Sequence, residues 1–299
     1  VQKRPYIGAN KTRTTSAKGA GIPMQIVFHA GVHCTDDDRI LKCLLRNRGE
    51  FTDKGAAVPP PGRYRKLLHQ TMLAMADAPA SAEARDVLIE NILEGDETER
   101  VIMSNDSLFC VPNMALRGGT FYDRAEERVR YLSQLFAGDQ IEIFLAICNP
   151  ATYLPAMFNK SKYSDFAEMT FGADPRDLRW SELVQRIRDN NPSVALTVWC
   201  NEDTPLIWAH LIREIAALNP GEKIKGGYDL IAEIMSKEGM QRFRAYLAQH
   251  PEMTEIQKRR VISAFLDKFA RDDMIEEELD LPGWTEELID ELTEIYDED

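Results

Sequence analysis

The run Ile141 to Ile147 does most to limit what this chain can become. It is apolar almost without a break, and a strand of that kind is buried on both faces, as in a parallel sheet. Parallel strands need crossover connections, and helical patterns stand on either side of this one. Residues 123–137 precede it, with Val129, Leu132, Leu135 and Phe136 in helical register; a helix carrying Leu154 and Phe158 follows, its first turn opened by Pro150. Further strands read at Ile26–Phe28, Val101–Met103 and Val194–Trp199. Helices read at about 62–77, at 82–94 (Val87, Leu88 and Ile92 on one face), at 179–189 and at 204–218, and residues 55–62 read as a turn. Strands separated by helices predict an α/β fold: a doubly wound parallel sheet flanked by helices, with function at the carboxyl ends of the strands.

Beyond Pro220 no strand signal is present, and helices fit 227–235, 237–249, 254–271 and 285–297. Thr254 with Gln257 spells a capping box, ahead of a buried stripe of Val261, Ile262, Phe265, Leu266 and Phe269. Thr285 caps the last helix, whose buried face is Leu288, Ile289, Leu292, Ile295 and Tyr296. It ends in Asp297-Glu298-Asp299, the wrong sign for a helix C-terminus, so the acids read as a solvated face. The expected division is a flexible basic arm over 1–23, an α/β domain over 24–219 and an all-helical C-terminal extension over 220–299 packed on it. Met24 reads as a native start, and the natural chain is expected to continue past residue 299.

Met24 to Leu45 is the stretch that carries chemistry. A buried strand (Ile26, Val27, Phe28) runs into a tight loop opened by Gly31, and a helix starts near Asp37. Strand, glycine loop and helix together aim backbone N–H groups and the positive end of a helix dipole at one spot. The loop itself holds a thiol, Cys34, and three consecutive carboxylates, Asp36, Asp37 and Asp38. Gly8 to Ser16 also has the lettering of a phosphate loop, but only Tyr6 and Ile7 precede it and a helix-breaking AKGAGIP follows.

Charge narrows the partners. The net charge is −13; residues 1–23 hold five bases and no acid, and residues 272–299 hold fourteen acids and no base. An acidic chain without a basic stripe argues against nucleic acid. No apolar run approaches the roughly 20 residues of a membrane span. The five cysteines (Cys34, Cys43, Cys110, Cys148, Cys200) are never spaced as CxxC, so neither a disulfide framework nor a zinc knuckle is expected, and a cytoplasmic setting fits.

Several signals line up with one family. His29-Ala30-Gly31-Val32-His33-Cys34-Thr35 before a helix resembles the first strand-loop-helix of bacterial sulfotransferase-like proteins, P-loop-type α/β proteins whose loop reads roughly HxGxxKTGTTxL. Arg46-Asn47-Arg48 through Val58-Pro59, Ser104-Asn105-Asp106, Ile147-Cys148-Asn149-Pro150 with Ala156, and Trp199 to Asp203 are similar to later segments of that family, in order, over about 24–218. The resemblance implies 3′-phosphoadenosine 5′-phosphosulfate (PAPS) as sulfuryl donor, a small-molecule or saccharide hydroxyl acceptor, and cofactor contacts from Gly31, Val32, His33, Cys34, Thr35, Asp36, Asp37 and Asn149. The departures are equally plain. Cys34 stands where the family has its phosphate-loop Lys, Asp36 and Asp37 where it has Gly and Thr, and Cys148 and Ala156 where it has the Arg and Ser that hold the 3′-phosphate. A charge-assisted hydrogen bond to phosphate is worth about 1.5–3 kcal/mol, and each such replacement forgoes one.

Three readings follow. One is an active sulfotransferase-like enzyme whose base is His33, His69 or Asp106. A second is a divalent-cation site built from His29, His33, Asp36, Asp37 and Asp38, with His29, His33, Asp36 and Asp38 as the metal ligands, bridging the acids to a phosphate. The third is a non-catalytic descendant that keeps the fold and serves as a binding protein. Against the site readings, His29 also reads as a core histidine, His69 as a helix-surface residue, the Asp run as a helix cap, and Cys34 as an inert buried thiol. Trp180, Trp199, Trp208 and Trp284 sit in apolar patterns and read as core.

Overall fold

The computed structural model describes residues 23–271, 273 and 281–299. Most of the basic arm and the phosphate-loop lettering at Gly8 to Ser16 lie outside the described residues. In chain order the elements are β1 (Gln25–His29), α1 (Arg39–Arg46), α2 (Arg48–Thr52), β2 (Ala56–Ala57), α3 (Pro61–Ala74), α4 (Ala84–Leu93), β3 (Arg100–Ser104), α5 (Ala125–Leu135), β4 (Gln140–Ile147), α6 (Pro150–Lys160), α7 (Phe166–Met169), α8 (Trp180–Asn190), β5 (Ala195–Cys200), α9 (Thr204–Ile215), α10 (Asp229–Ile234), α11 (Lys237–Gln249), α12 (Glu255–Phe269) and α13 (Glu286–Glu298).

The strands form one five-stranded sheet in the order β2-β3-β1-β4-β5, and every pairing is parallel. Alternate side chains of each strand leave by opposite faces, which explains why β1 is apolar from Ile26 to Phe28 and β4 from Ile143 to Ile147. Ile26, Phe28, Met103, Ile143 and Leu145 join one cluster with Leu68, Ile92, Leu132, Tyr153 and Trp180 from α3, α4, α5, α6 and α8. Val27, Ile102 and Phe144 join the opposite cluster with Leu44, Phe51, Trp208 and Ile212 from α1, α2 and α9. The sheet is therefore doubly wound, as the strand pattern predicts. Each fully buried side chain of this size contributes about 1.5–3 kcal/mol.

Arg100 holds the opposite end of the sheet. It is 6% exposed and donates to Gln25 Oε1 (2.8 Å), Glu142 Oε2 (2.7 Å) and the Ile215 carbonyl (2.9 Å), tying β3 to β1, β4 and the end of α9. A third cluster, Ile231, Met235, Met240, Phe243 and Ile262, joins α10, α11 and α12. There Gly239 is required: a Cβ would sit 2.4 Å from Phe269 Cβ. The Thr254–Gln257 capping box is present at α12.

Some expectations need correction. α1 starts at Arg39 rather than near Asp37, because Asp37 and Asp38 sit at positive φ (45° and 61°). The turn at 55–62 contains β2, an edge strand too short to leave a pattern. Val87 is 59% exposed; α4 buries Leu88, Ile92 and Leu93. Only Ile262 of the α12 stripe and only Leu292 of the α13 face are fully buried, because both helices pack on the outside of the molecule.

Topology sets the site. From β1 the chain crosses toward β2, and from β4 it crosses the other way to β5, so a crevice opens between the carboxyl ends of β1 and β4.

Candidate functional site

The loop after β1 spends its polar groups internally. The Ala30 N–H donates to the Phe144 carbonyl (2.9 Å) and the Val32 N–H to the Ala146 carbonyl (3.2 Å), extending the β1–β4 pairing past the strand. The His33 N–H donates to the Tyr122 hydroxyl at 3.1 Å. The Thr35 hydroxyl donates to the Val32 carbonyl at 2.7 Å. At the start of α1, Asp36 Oδ2 accepts the Ile40 N–H at 3.0 Å. Asp38 Oδ1 accepts from Arg65 at 2.6 Å, and that hydrogen bond holds the Asp38 carboxyl below its ordinary range. Gly31, at φ +86°, lies so close to the next loop that a Cβ would come within 3.1 Å of Asp106 Cα.

The second wall is at the end of β4. Asn149 caps α6, its Oδ1 accepting the Ala151 N–H at 2.9 Å, while its Nδ2 donates to Thr293 Oγ1 at 2.9 Å. The Asn149 backbone N–H donates to Glu202 Oε1 at 2.7 Å. A helix N-terminus favours an anion. Here the N-terminus of α1 receives the Asp36 carboxylate, and the Asn149 amide leading into α6 receives that of Glu202.

Between these walls and α9, α10 and α12 lies a cavity of about 640 Å³, within the range of small-molecule sites. Apolar surface comes from Leu206, Trp208, Leu230 and Leu266, and polar surface from Thr35, Thr152 and Ser263. Its lining carries three carboxylates, Asp36, Glu202 and Asp267, against one guanidinium, Arg39. Arg39 is paired with Glu233 at 3.2 Å.

The sequence candidates separate. Cys34, Thr35, Asp36 and Asn149 line the cavity. Gly31, Val32 and His33 are buried behind it, and Asp37 is exposed, facing Lys160 at 4.0 Å. His33 is fully buried; its Nδ1 meets the Tyr122 hydroxyl at 2.8 Å and its Nε2 meets Ser107 Oγ at 3.3 Å. Ser107 donates to Asp106 Oδ1 at 3.1 Å, and Tyr122 meets the Tyr153 hydroxyl at 2.9 Å. His33 and Asp106 thus belong to one hydrogen-bonded chain. Burial pushes the His33 imidazole down to about 4, against the opposing field of Asp106. His69 is exposed on α3 and away from the cavity lining.

The cation reading of His29, His33, Asp36 and Asp38 does not fit this geometry. Among the described residues no group of three or more His, Cys, Asp or Glu is placed to hold a metal ion. Both His33 nitrogens face hydroxyls, Asp38 is paired with Arg65, and Asp36 caps α1. His29 is 1% exposed, bonded through Nδ1 to Ser104 Oγ (2.9 Å) and stacked on Trp199. Burial lowers its pKa. The loop amides of Ala30, Val32 and His33 are bonded within the fold, and the Ile40 and Asn149 amides receive carboxylates.

Sequence reading missed Asp267, Tyr153, Tyr122 and Arg65. Asp267 had a signal: with Ser263 and Leu266 it marks a second face of α12, turned toward the cavity. Trp208, read as core, is 4% exposed and also lines the cavity.

No protein-family model matches the chain, and neither does any curated protein. Among solved structures, a sulfotransferase from Alicyclobacillus acidocaldarius is similar over 82% of this chain and 99% of its own length, at 11% identity and a TM-score of 0.39. Likeness at that level carries no weight for function, which rests on the side chains described above. No helix among the described residues is long and apolar enough to cross a membrane.

Proposed function

We propose that this chain binds a small molecule, uncharged or cationic, in the cavity at the carboxyl ends of β1, β4 and β5, and that it does not use PAPS. This is the binding-protein reading, with sulfuryl transfer to a hydroxyl acceptor as the reading set aside. One observation supports it above the others: Asp36 and Glu202 place carboxylates on the Ile40 and Asn149 amides, one at each helix that opens on the cavity. Like charges about 4 Å apart near a protein surface cost about 4 kcal/mol. One charge-assisted hydrogen bond returns only about 1.5–3 kcal/mol, so the repulsion wins.

The test is a ligand-observed NMR screen of a fragment set balanced among amines, neutral alcohols, carboxylates and phosphates. Ser263→Trp, which fills the cavity from α12, serves as the control. Amines and neutral fragments are expected to dominate the hits and to be lost in Ser263→Trp. Hits dominated by carboxylates and phosphates, or hits indifferent to Ser263→Trp, contradict the proposal.

A further inference from the structure

The acidic end of α13 is misplaced for its own helix and well placed for another. Asp297, Glu298 and Asp299 oppose the dipole of α13. The Asp299 carboxylate, however, accepts the Trp180 N–H (2.7 Å), the Ser181 N–H (3.1 Å) and the Ser181 hydroxyl at the start of α8. Two further side chains of α13 grip the cavity wall. Thr293 Oγ1 accepts from Asn149 Nδ2 at 2.9 Å, and the Tyr296 hydroxyl donates to Glu202 Oε2 at 3.1 Å, beside the Cys200 thiol. Asn149 and Glu202 both line the cavity.

The apolar hold on α13 is partial, with Leu288, Ile289, Ile295 and Tyr296 half-buried. Leu292 alone is fully buried within the helix. The Arg176–Glu291 pair (2.9 Å) joins side chains 43% and 48% exposed, a setting in which an ion pair contributes about 0–1 kcal/mol. A helix of this length is marginal by itself. Trp284 anchors the start of the segment through Nε1–H to the Ala151 carbonyl (2.8 Å), and docking of the helix beyond it leans on Thr293, Tyr296 and Asp299; elements held this way come from the low-stability end of a fold.

We propose that α13 is a releasable clamp on the cavity wall: docked, it fixes Glu202 against the Asn149 amide and sets the Tyr296 hydroxyl on the half-buried Cys200 thiol; released, it frees both. The clamp rests on the cavity of the proposed function, since it holds in place the Glu202 carboxylate on which that reading depends.

The experiment is N-ethylmaleimide labelling of the full chain with peptide mass mapping, comparing wild type with the double variant Tyr296→Phe, Asp299→Ala and with the milder Thr293→Val. The proposal predicts that Cys200 labels about tenfold faster in the double variant, and by a smaller factor in Thr293→Val. Cys43 and Cys110, buried or half-buried elsewhere, are predicted to label at the wild-type rate. An unchanged Cys200 rate in the double variant overturns the proposal. So does a parallel rise at Cys43 and Cys110, which reports general loosening rather than release of α13. Cys200 labelling reads the docking of α13 with no ligand present, so the clamp can fail while the binding reading stands, and the fragment screen can fail while the clamp stands.

Discussion

His33 shows what the burial of one side chain does. In the unfolded chain an imidazole takes up its proton near pH 6.5, whereas in the fold His33 stays neutral down to about 4. Between those values the unfolded state holds more protons, so stability is fully present above pH 6.5 and falls as the pH drops through the window. His29 shifts in the same direction. The urea midpoint should therefore fall between pH 7 and pH 4.5, and His33→Asn should flatten that dependence without abolishing it; an equally steep profile in the variant would count against the assignment. Gly31 makes a second residue-scale case. Alanine there meets Asp106 at 3.1 Å in a left-handed conformation, so Gly31→Ala should destabilise by about 1–3 kcal/mol in denaturant titration. His33 was legible as a candidate base, but its Tyr122 partner is 89 residues away in sequence. No local spacing could show that its nitrogens were already engaged.

At the scale of elements, legibility followed length and periodicity. β1, β3 and β4 announce themselves as apolar runs because both faces of the sheet are covered there, and the edge strand β5 by Val198 and Trp199 although none of its residues is fully buried. β2 does not, since two alanines between Gly55 and Val58 carry no period. α12 was legible at its start because the capping box is local; Thr254→Ala should lower stability by about 1 kcal/mol, measured as a shift in urea midpoint. The acids of α13 read as a solvated face and all three terminal ones are exposed, but Asp299 also accepts from the first turn of α8, a partner no local pattern shows. Arg85 with Asp139 is a similar long-range pair, bonded at 2.7 Å through two nitrogens, with the Asp139 side chain 1% exposed. Arg85→Ala leaves that carboxylate only the Met24 N–H at 2.9 Å and should cost about 3 kcal/mol, seen as a lowered midpoint at unchanged slope.

For the whole molecule, the sheet order places a cavity where an α/β protein of this winding is expected to bind its ligand. That position was legible from the order of strands and helices. The sign of its charge was only half legible. Asp36 stood out in the loop, whereas Glu202 and Asp267 reach the cavity through β5 and α12, far along the chain. The glycine loop invites an anion, and folding answers with the protein's own carboxylates, which is why loop lettering and site chemistry point in different directions. The central claim is that these carboxylates exclude a phosphorylated nucleotide. Isothermal titration of the full chain with adenosine 3′,5′-bisphosphate (PAP), alone and with magnesium, manganese or zinc, tests it most directly. No saturable heat is expected under any of these conditions; a one-to-one isotherm in the micromolar range, with or without metal, would contradict the claim.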